Sequence, residues 1–171
     1  MNSYYSQYKT EKESENPFDS VSCIVFNPYE RNVHGALVAS WDGFLRYYEF
    51  VTTGANKLLD KKWECYFEHP VLSCDITPQM LVIAGLATGE IVLVDMANSN
   101  NKVLLGSHDS PICRVAWCQE HGIVISLGYD NFIKCFNFEL VNNSFMKAEF
   151  KLPAKTMTAA FSYPFLLIGS N

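Results

Sequence analysis

The sequence predicts an all-β protein built from repeated hairpins. Phe, Tyr and Trp make up 14% of the 171 residues. These flat side chains, like the branched Val and Ile, favour strands because they pack well on a pleated surface. Apolar residues recur in short runs broken by turn-forming residues, and no apolar period of 3.6 residues persists as it would in a helix. With 49% hydrophobic residues the chain can bury a core, which excludes disorder for most of its length.

A unit of several short strands recurs along the chain. Three similar segments begin at residues 43, 89 and 131, and each begins on the second residue of a turn-forming dipeptide, Asp-Gly, Thr-Gly or Asp-Asn. We predict two-residue hairpins at these dipeptides, since Gly, Asn and Asp tolerate the positive φ that such turns need. Two further apolar strands precede each segment, and a fourth copy has begun where the sequence stops. The predicted strands are 21–26, 36–40 and 43–49; 71–76, 81–85 and 89–95; 112–117, 123–127 and 131–137; and 156–161 and 165–169.

The repeat length indicates the architecture. A period of roughly 40–45 residues with about four strands is typical of a blade of a WD-repeat β-propeller. The sequence therefore predicts a propeller fragment of about 3.5 blades, and closed propellers have about four to eight. We expect the N-terminal half of a seven-bladed propeller; a natural short form, or closure with a partner, is the alternative. An open array of blades would leave an unpaired edge and an uncovered apolar face.

The predicted domain organisation is a short tail followed by the propeller fragment. Residues 1–17 are polar and rich in tyrosine, so we expect a flexible tail or an outer strand for a last blade that this chain does not contain. The propeller fragment occupies residues 18–171. Its predicted blades cover approximately residues 18–64, 65–105, 106–150 and, as an incomplete blade, 151–171.

Charge and cysteine usage restrict the classes of function. The net charge of −5 argues against nucleic acid or an anionic membrane as a general partner, although a local basic patch could still bind nucleic acid. No apolar run approaches the roughly 18 residues that cross a bilayer, and no secretion signal is present, so we expect a soluble intracellular protein. The six cysteines form no Cys-x-x-Cys motif; we expect buried, reduced thiols, no metal site and no cofactor.

His108, Ser126 and Asp130 could be mistaken for the triad of a hydrolase. In WD repeats, however, a His before the first strand, a Ser in the second, an Asp in the hairpin turn and an aromatic residue in the third form a structural hydrogen-bond network. The spacing here fits that network, with Phe136 in the place of the usual Trp. There is no Gly-x-Ser-x-Gly motif and no phosphate-binding glycine loop. We therefore predict a structural network and no catalytic residues.

Aromatic residues occupy two of the three predicted hairpin tips. Trp41 lies at the tip in the first copy and Tyr129 in the third, while Ala87 takes the same place in the second. The hairpin tips of propeller blades face one rim. A Trp at a tip is either packed between blades or exposed as a binding residue, and exposed Trp and Tyr are typical anchors of protein interfaces. Both interpretations of Trp41 remain open at this point.

Several stretches, in this order and at this spacing, carry a family resemblance. Together they resemble the mitotic checkpoint WD-repeat proteins of the budding-uninhibited-by-benzimidazole family, and the closely related RNA-export WD-repeat proteins. The resemblance covers residues 18–171. The stretches are Asp-Ser-Val-Ser-Cys at 19–23, Val-Ala-Ser-Trp-Asp-Gly at 38–43, Glu-His-Pro-Val-Leu-Ser-Cys at 68–74, Gly-Leu-Ala-Thr-Gly-Glu-Ile at 85–91, Gly-Ser-His-Asp-Ser-Pro-Ile-Cys-Arg at 106–114 and Leu-Leu-Ile-Gly at 166–169.

The resemblance implies a non-enzymatic scaffold of the spindle assembly checkpoint, located in the nucleus and at kinetochores in mitosis. Family members bind GLEBS segments of a checkpoint kinase and of its pseudokinase-like partner, and recruit them to phosphorylated MELT repeats of a kinetochore scaffold. Tryptophans in the Ser-Trp-Asp tips of blades one and three contact GLEBS. Trp41 matches the first, whereas Tyr129 departs from the second but can still stack and hydrogen-bond. The family's basic residues for the phosphorylated repeats lie in later blades, which this chain does not contain.

The alternative function is that of the RNA-export relative, which binds a GLEBS segment of a nucleoporin at the nuclear pore. The Ser-Trp-Asp tip does not separate the two relatives. The His-Pro pair at 69–70 and the Thr-Gly-Glu-Ile hairpin at 88–91 favour the checkpoint protein. A third possibility, an enzyme, requires a clustered polar site that the sequence does not show.

Overall fold

The computed structural model describes residues 19–29, 34–53, 56–141 and 144–170, so the predicted tail at 1–17 lies outside the described residues. Within these ranges no helix is long and apolar enough to cross a membrane. The described residues are organised into strands, which confirms the predicted all-β class. The strands are β1 (Val21–Phe26), β2 (Gly35–Ser40), β3 (Phe44–Thr53), β4 (Asn56–Tyr66), β5 (Val71–Ile76), β6 (Leu81–Leu86), β7 (Glu90–Asp95), β8 (Asn98–Ser107), β9 (Ile112–Cys118), β10 (Ile123–Gly128), β11 (Phe132–Val141), β12 (Ser144–Lys151), β13 (Thr156–Ser162) and β14 (Phe165–Ser170).

Each complete repeat folds into one antiparallel sheet, in which strands that follow one another in sequence are neighbours. The three four-stranded sheets are β1–β4, β5–β8 and β9–β12, and β13 with β14 begins a fourth. We call these sheets blades one to four. The first strands of successive blades lie side by side, β1 beside β5, β5 beside β9 and β9 beside β13. This arrangement is a partial WD-repeat propeller, as the repeat length predicts.

The hairpins between the second and third strands differ from the predicted two-residue turns. Three residues, not two, connect the strands in each complete blade, at 41–43, 87–89 and 129–131. Only the last residue of each loop has a positive φ: 82° at Gly43, 93° at Gly89 and 68° at Asn131. A type I′ turn would require two such residues in succession, whereas a three-residue hairpin loop needs one. The prediction of turn position was therefore right and that of turn type was wrong.

The core lies between adjacent blades. Leu37 and Leu45 of blade one pack with Val71 and Ile76 of blade two. A second cluster joins blades two and three, and a third joins blades three and four. Strand β10 is buried along its whole length because it is covered by a blade on either side. Burial of apolar surface between sheets, at about 25 cal/mol per Å², is what holds the array together.

The two terminal blades expose apolar faces. Phe26 and Phe50 stack on each other in blade one with ring centroids 6.3 Å apart, and Phe26 is 67% exposed. Phe165 and Leu167 in blade four are 68% and 69% exposed. The expected uncovered face of an open array is therefore present at both ends of the described sheets, because each apolar face needs a neighbouring blade to cover it.

The cysteines are all free thiols, but only some are buried. The expectation of buried thiols is wrong for half of them, because those side chains lie on strand faces that a neighbouring blade covers only in part. Cys65, Cys74 and Cys118 are buried, and Cys23, Cys113 and Cys135 are half-buried. Within the described residues, no group of three His, Cys, Asp or Glu side chains could hold a metal ion.

Candidate functional site

The tips of the three complete hairpins, residues 41–43, 87–89 and 129–131, are anchored in the same way, and we call them together the rim. In each blade the amide of the first loop residue donates a hydrogen bond to the carbonyl just before the first strand of the same blade. The repeated bond places these three residues at the same point of each blade. The bonds are Trp41 to Ser20 at 2.9 Å, Ala87 to Pro70 at 2.9 Å and Tyr129 to Pro111 at 3.1 Å.

A second repeated bond fixes the other side of every tip. The carbonyl of the last loop residue accepts a hydrogen bond from the amide that follows the fourth strand of the blade. Because backbone groups hold each tip at both ends, the first side chain of the loop can vary without changing the loop. The bonds are Phe67 to Gly43 at 2.7 Å, His108 to Gly89 at 2.9 Å and Leu152 to Asn131 at 2.7 Å.

The rim presents two partly exposed aromatic side chains. Trp41 is 50% exposed, which leaves much of the indole open to solvent, and Tyr129 is 39% exposed. Burial raises the pKa of the Tyr129 hydroxyl, so it stays protonated at neutral pH. Ala87 separates the two aromatic tips with a small side chain. An exposed pair of this kind can stack on a ligand, and peptide binding by Trp41 and Tyr129 stays a prediction.

His108, Ser126 and Asp130 lie within hydrogen-bonding distance of one another in blade three. The Nε2 atom of His108 is 2.7 Å from the Ser126 hydroxyl, and its Nδ1 atom is 3.0 Å from both carboxylate oxygens of Asp130. Since a carboxylate only accepts, the ring proton belongs on Nδ1, and Nε2 accepts from Ser126. Asp130 also accepts from the amides of Asp109 and Phe132 at 3.0 and 3.1 Å. The network thus ties the hairpin tip to the segment before β9.

Burial sets the protonation state of this network. Burial lowers the pKa of His108 below its usual 6.5 despite the nearby Asp130 carboxylate, so the imidazole is neutral at pH 7. Burial alone would raise the pKa of Asp130, but hydrogen bonds from the Phe132 amide, His108 and the Asp109 amide outweigh it and lower that pKa. The carboxylate is therefore ionised and the imidazole neutral, which is the arrangement of a structural hydrogen-bond network at neutral pH.

The same three side chains are poorly placed for hydrolysis. Ser126 is 0% exposed and His108 is 3% exposed, so the Ser126 hydroxyl cannot reach a substrate without movement of the blade. The backbone of Gly128 lies directly against His108 and Asp130, since a Cβ atom there would be 2.5 Å from His108 Nδ1 and from Asp130 Oδ1. The pattern of His, Ser, Asp and an aromatic residue, from which the network was predicted, does not include this requirement for Gly at position 128.

In blade one an arginine, and not a histidine, is the buried partner of the aspartate in the hairpin tip. The sequence motif for the histidine network does not predict this residue. Arg46 is 3% exposed and its Nη2 atom lies 2.9 Å from Asp42. Its Nη1 atom also donates to the Ser40 hydroxyl at 3.2 Å. Burial opposes ionisation of Asp42, but hydrogen bonds from Arg46, Ser40 and the Phe44 amide lower its pKa to about 2. The signal was the Asp-x-x-x-Arg spacing across the tip, which places both side chains on one face of the hairpin.

Blade two has neither arrangement. Thr88 stands where blades one and three have Asp42 and Asp130, and its hydroxyl bonds to Glu90 at 2.9 Å. His69 precedes the first strand of this blade, as the sequence indicates, but its side chain is exposed. The rim therefore has a charged network under both aromatic tips and none under Ala87.

We expect His108→Ala to lower the free energy of unfolding by about 1–3 kcal/mol, because Ser126 and Asp130 would lose a buried partner. Chemical denaturation at pH 7 measures the change, and Asp130→Ala should give a similar loss. His34→Ala is the matched control, since His34 is exposed. If His108→Ala and His34→Ala unfold at the same denaturant concentration, the network does not contribute to stability.

The pH dependence of unfolding gives a second test of the same network. Because the folded pKa of His108 lies below 6.5, the unfolded chain takes up a proton there that the folded chain does not. This contribution to stability is complete above pH 6.5 and is lost as the pH falls through the folded pKa. His108→Ala should remove that part of the pH dependence.

Comparison with known proteins identifies a mitotic checkpoint relative. No protein-family model matches the chain. The chain is 31% identical over 123 residues to the mitotic checkpoint protein BUB3.3 of Arabidopsis thaliana. The match covers 71% of this chain and 36% of the relative, so the chain spans about a third of the length of that protein. A checkpoint relative does not favour the RNA-export alternative.

Solved structures share the fold at low identity. The computationally designed Ika4 protein superposes with a TM-score of 0.69 at 16% identity, over 91% of this chain and 88% of that one. Chaetomium thermophilum Raptor gives a TM-score of 0.65 at 14% identity, over 84% of this chain and 14% of that one. At this level of identity the likeness concerns the fold alone.

Proposed function

This chain belongs to the BUB3-like family of mitotic checkpoint WD-repeat proteins, and we propose that its rim binds GLEBS-type peptide segments of checkpoint kinases. The observation that carries the proposal is Trp41. It occupies the Ser-Trp-Asp tip of blade one, it is half exposed, and backbone bonds at both ends of the loop fix its position. A rigid, exposed indole is the kind of residue that dominates the binding energy of protein interfaces.

Tyr129 extends the proposed contact to blade three. It stands at the position equivalent to Trp41 and is 39% exposed. A tyrosine in this place supplies an aromatic surface and a hydroxyl, although it lacks the indole N–H of a tryptophan. A peptide lying across the rim would therefore contact Trp41, pass Ala87 and reach Tyr129.

The proposed role is that of a non-enzymatic scaffold. The polar constellation at His108 and Ser126 is buried, which supports a structural use of these side chains. By the family resemblance, the peptide partners are a checkpoint kinase and its pseudokinase-like partner, and the place of action is the kinetochore in the mitotic nucleus. Recruitment to phosphorylated MELT repeats is part of the same proposal and, by the family resemblance, depends on basic residues of later blades.

Peptide titration separates the two related functions. The chain is titrated with a fluorescent GLEBS peptide of a checkpoint kinase and, in parallel, with a GLEBS peptide of a nucleoporin. We expect tighter binding of the checkpoint peptide. Binding of the nucleoporin peptide alone would overturn the proposed function in favour of the RNA-export role, and binding of neither would contradict both.

We expect Trp41→Ala to weaken binding of the checkpoint GLEBS peptide by about 2–4 kcal/mol, as truncation of a central anchor does, with an unchanged unfolding transition. Tyr163→Ala is the matched control. Tyr163 is an aromatic residue of similar exposure, 47%, in the loop between β13 and β14, which joins a first to a second strand and so lies at the other end of the sheets. Equal affinities of the two variants would show that Trp41 is not the anchor.

A further inference from the structure

Two cysteines and an arginine from three different blades meet on the adjoining first strands. Cys23 lies on β1, Cys74 on β5 and Arg114 on β9. The Cys23 sulfur lies 3.9 Å from the Cys74 carbonyl oxygen. The Nη1 atom of Arg114 is 3.5 Å from the Cys23 sulfur. Neighbouring blades thus bring together two cysteines and a cation that are far apart in sequence.

The Arg114 guanidinium contacts the Cys23 sulfur, and its charge also opposes the rise that burial causes in the pKa of Asp75. Within the described part of the chain, the buried Nε atom of Arg114 has no hydrogen-bond partner. Asp75 follows Cys74 on β5, and its carboxylate accepts hydrogen bonds from the amides of Ile76 and Trp117 at 2.8 Å each. A guanidinium stabilises negative charge on an adjacent sulfur.

The two thiols have opposite acidities. The Cys74 hydrogen bond, helped by Arg114 and opposed by burial, lowers the pKa of Cys23 from 9.0 to about 6. The pKa of Cys74 is raised well above 9.0, first by its hydrogen bond to Cys23 and then by burial. The ionisable groups that act on Cys23 are Cys74 on β5 and Arg114 on β9, and Asp75 on β5 acts on Cys74. At neutral pH this is a half-buried thiolate beside a protonated thiol.

We propose that Cys23 and Cys74 are a peroxide-sensitive pair that closes into a disulfide between blades one and two, an inference that does not depend on the proposed function. The Cys23 thiolate attacks one oxygen of hydrogen peroxide, the O–O bond breaks, and the products are a Cys23 sulfenic acid and hydroxide. The Cys74 sulfur then attacks the Cys23 sulfur, the S–O bond breaks, and the Cys74 proton leaves with that oxygen as water. The hydroxide takes up the proton that Cys23 released on ionising, so the two thiols are oxidised by two electrons and one peroxide is reduced to two waters.

The chain contains internal controls for this chemistry. Cys113 and Cys135 are half-buried like Cys23, but burial raises the pKa of both thiols. Susceptibility to oxidation follows thiolate character and access, so the three cysteines differ mainly in the first of these. The proposal therefore requires Cys23 to react ahead of Cys113 and Cys135.

The first experiment measures the reactivity of Cys23 at pH 6 with a small aromatic disulfide, read by mass spectrometry of each cysteine peptide. About half of Cys23 is thiolate at that pH, against about 0.1% for a thiol of pKa 9, while the intrinsic nucleophilicity of the less basic thiolate is about 20-fold lower. We expect Cys23 to react about 20-fold faster than Cys113. Equal rates at the two sites would overturn the proposal.

Two variants of Cys74 separate its effect on the reactivity of Cys23 from its part in the disulfide. Cys74→Ser keeps a hydrogen-bond donor beside Cys23, so the fast reaction at pH 6 should persist, whereas Cys74→Ala should slow it at least several-fold. The second experiment treats the chain with hydrogen peroxide and maps disulfides. We expect a Cys23–Cys74 link in the wild type, and in Cys74→Ser a Cys23 sulfenic acid that a dimedone-type reagent traps. A wild-type chain without that link, or equal cross-linking among all cysteines, contradicts the proposal.

Discussion

Phe136→Ala is expected to lower the free energy of unfolding by about 3–5 kcal/mol, the usual loss for a buried Phe that leaves a cavity. Phe136 is 1% exposed and belongs to the cluster between blades two and three. Its ring rests directly on the backbone of Gly106, where a Cβ atom would lie 2.5 Å from Cε1. Because β8 and β11 belong to different blades, the cavity would loosen the contact between them.

Chemical denaturation of the chain measures this loss, and Phe150→Ala is the control. Phe150 also lies in blade three, but it is 58% exposed, so its truncation should change stability by less than about 1 kcal/mol. Similar losses for the two variants would mean that Phe136 is not packed between the blades.

Gly89→Ala is expected to be destabilising by about 4 kcal/mol, a value that combines backbone strain with a steric clash. Gly89 has a φ of 93°, and an added Cβ would lie 2.4 Å from the His108 carbonyl oxygen and 2.6 Å from that of Ser110. Both contacts are with backbone atoms that the rim needs in place, so no side chain can move aside to relieve them.

Gly122→Ala separates the two causes. Gly122 also has a positive φ, 61°, but an added Cβ would meet only the tip of Trp117 at 3.9 Å. We expect a loss of about 1 kcal/mol there, from strain alone. If Gly89→Ala lowers the free energy of unfolding no more than Gly122→Ala does, the tip of blade two does not pack against the carbonyls of His108 and Ser110. Thermal or chemical unfolding of both variants gives the answer.

The sequence predicted the first three strands of each blade because their residues contrast sharply with the turns between them. Strand β10 reads Ile-Val-Ile-Ser-Leu-Gly and is buried throughout, so its apolar run is continuous. The fourth strands were not placed. Strand β12 is mostly exposed, with only Phe145 and Ala148 half-buried, so its residues carry little hydrophobic contrast. A strand of this kind is recognised only once its partner, β11, is in position.

At the rim, residues that belong to a motif of fixed spacing can be picked out in the sequence, whereas a contact that depends on strand register cannot. The positions of His108, Ser126 and Asp130 follow from a recurrent pattern, and the structure brings them within hydrogen-bonding distance. Arg46 takes a comparable place beside Asp42 through a different geometry, which depends on the hairpin register. The meeting of Cys23 with Cys74 depends on the contact between blades, which lies beyond local sequence patterns.

Hydrogen–deuterium exchange of the chain, with and without the checkpoint GLEBS peptide, tests the rim most directly. If the rim binds the peptide, the amides of 41–43 and 129–131 should exchange more slowly in the complex, while the loops at 119–122 and 163–164, at the other end of the sheets, should be unaffected. Protection of those opposite loops, or bound peptide without protection at 41–43, would contradict the account.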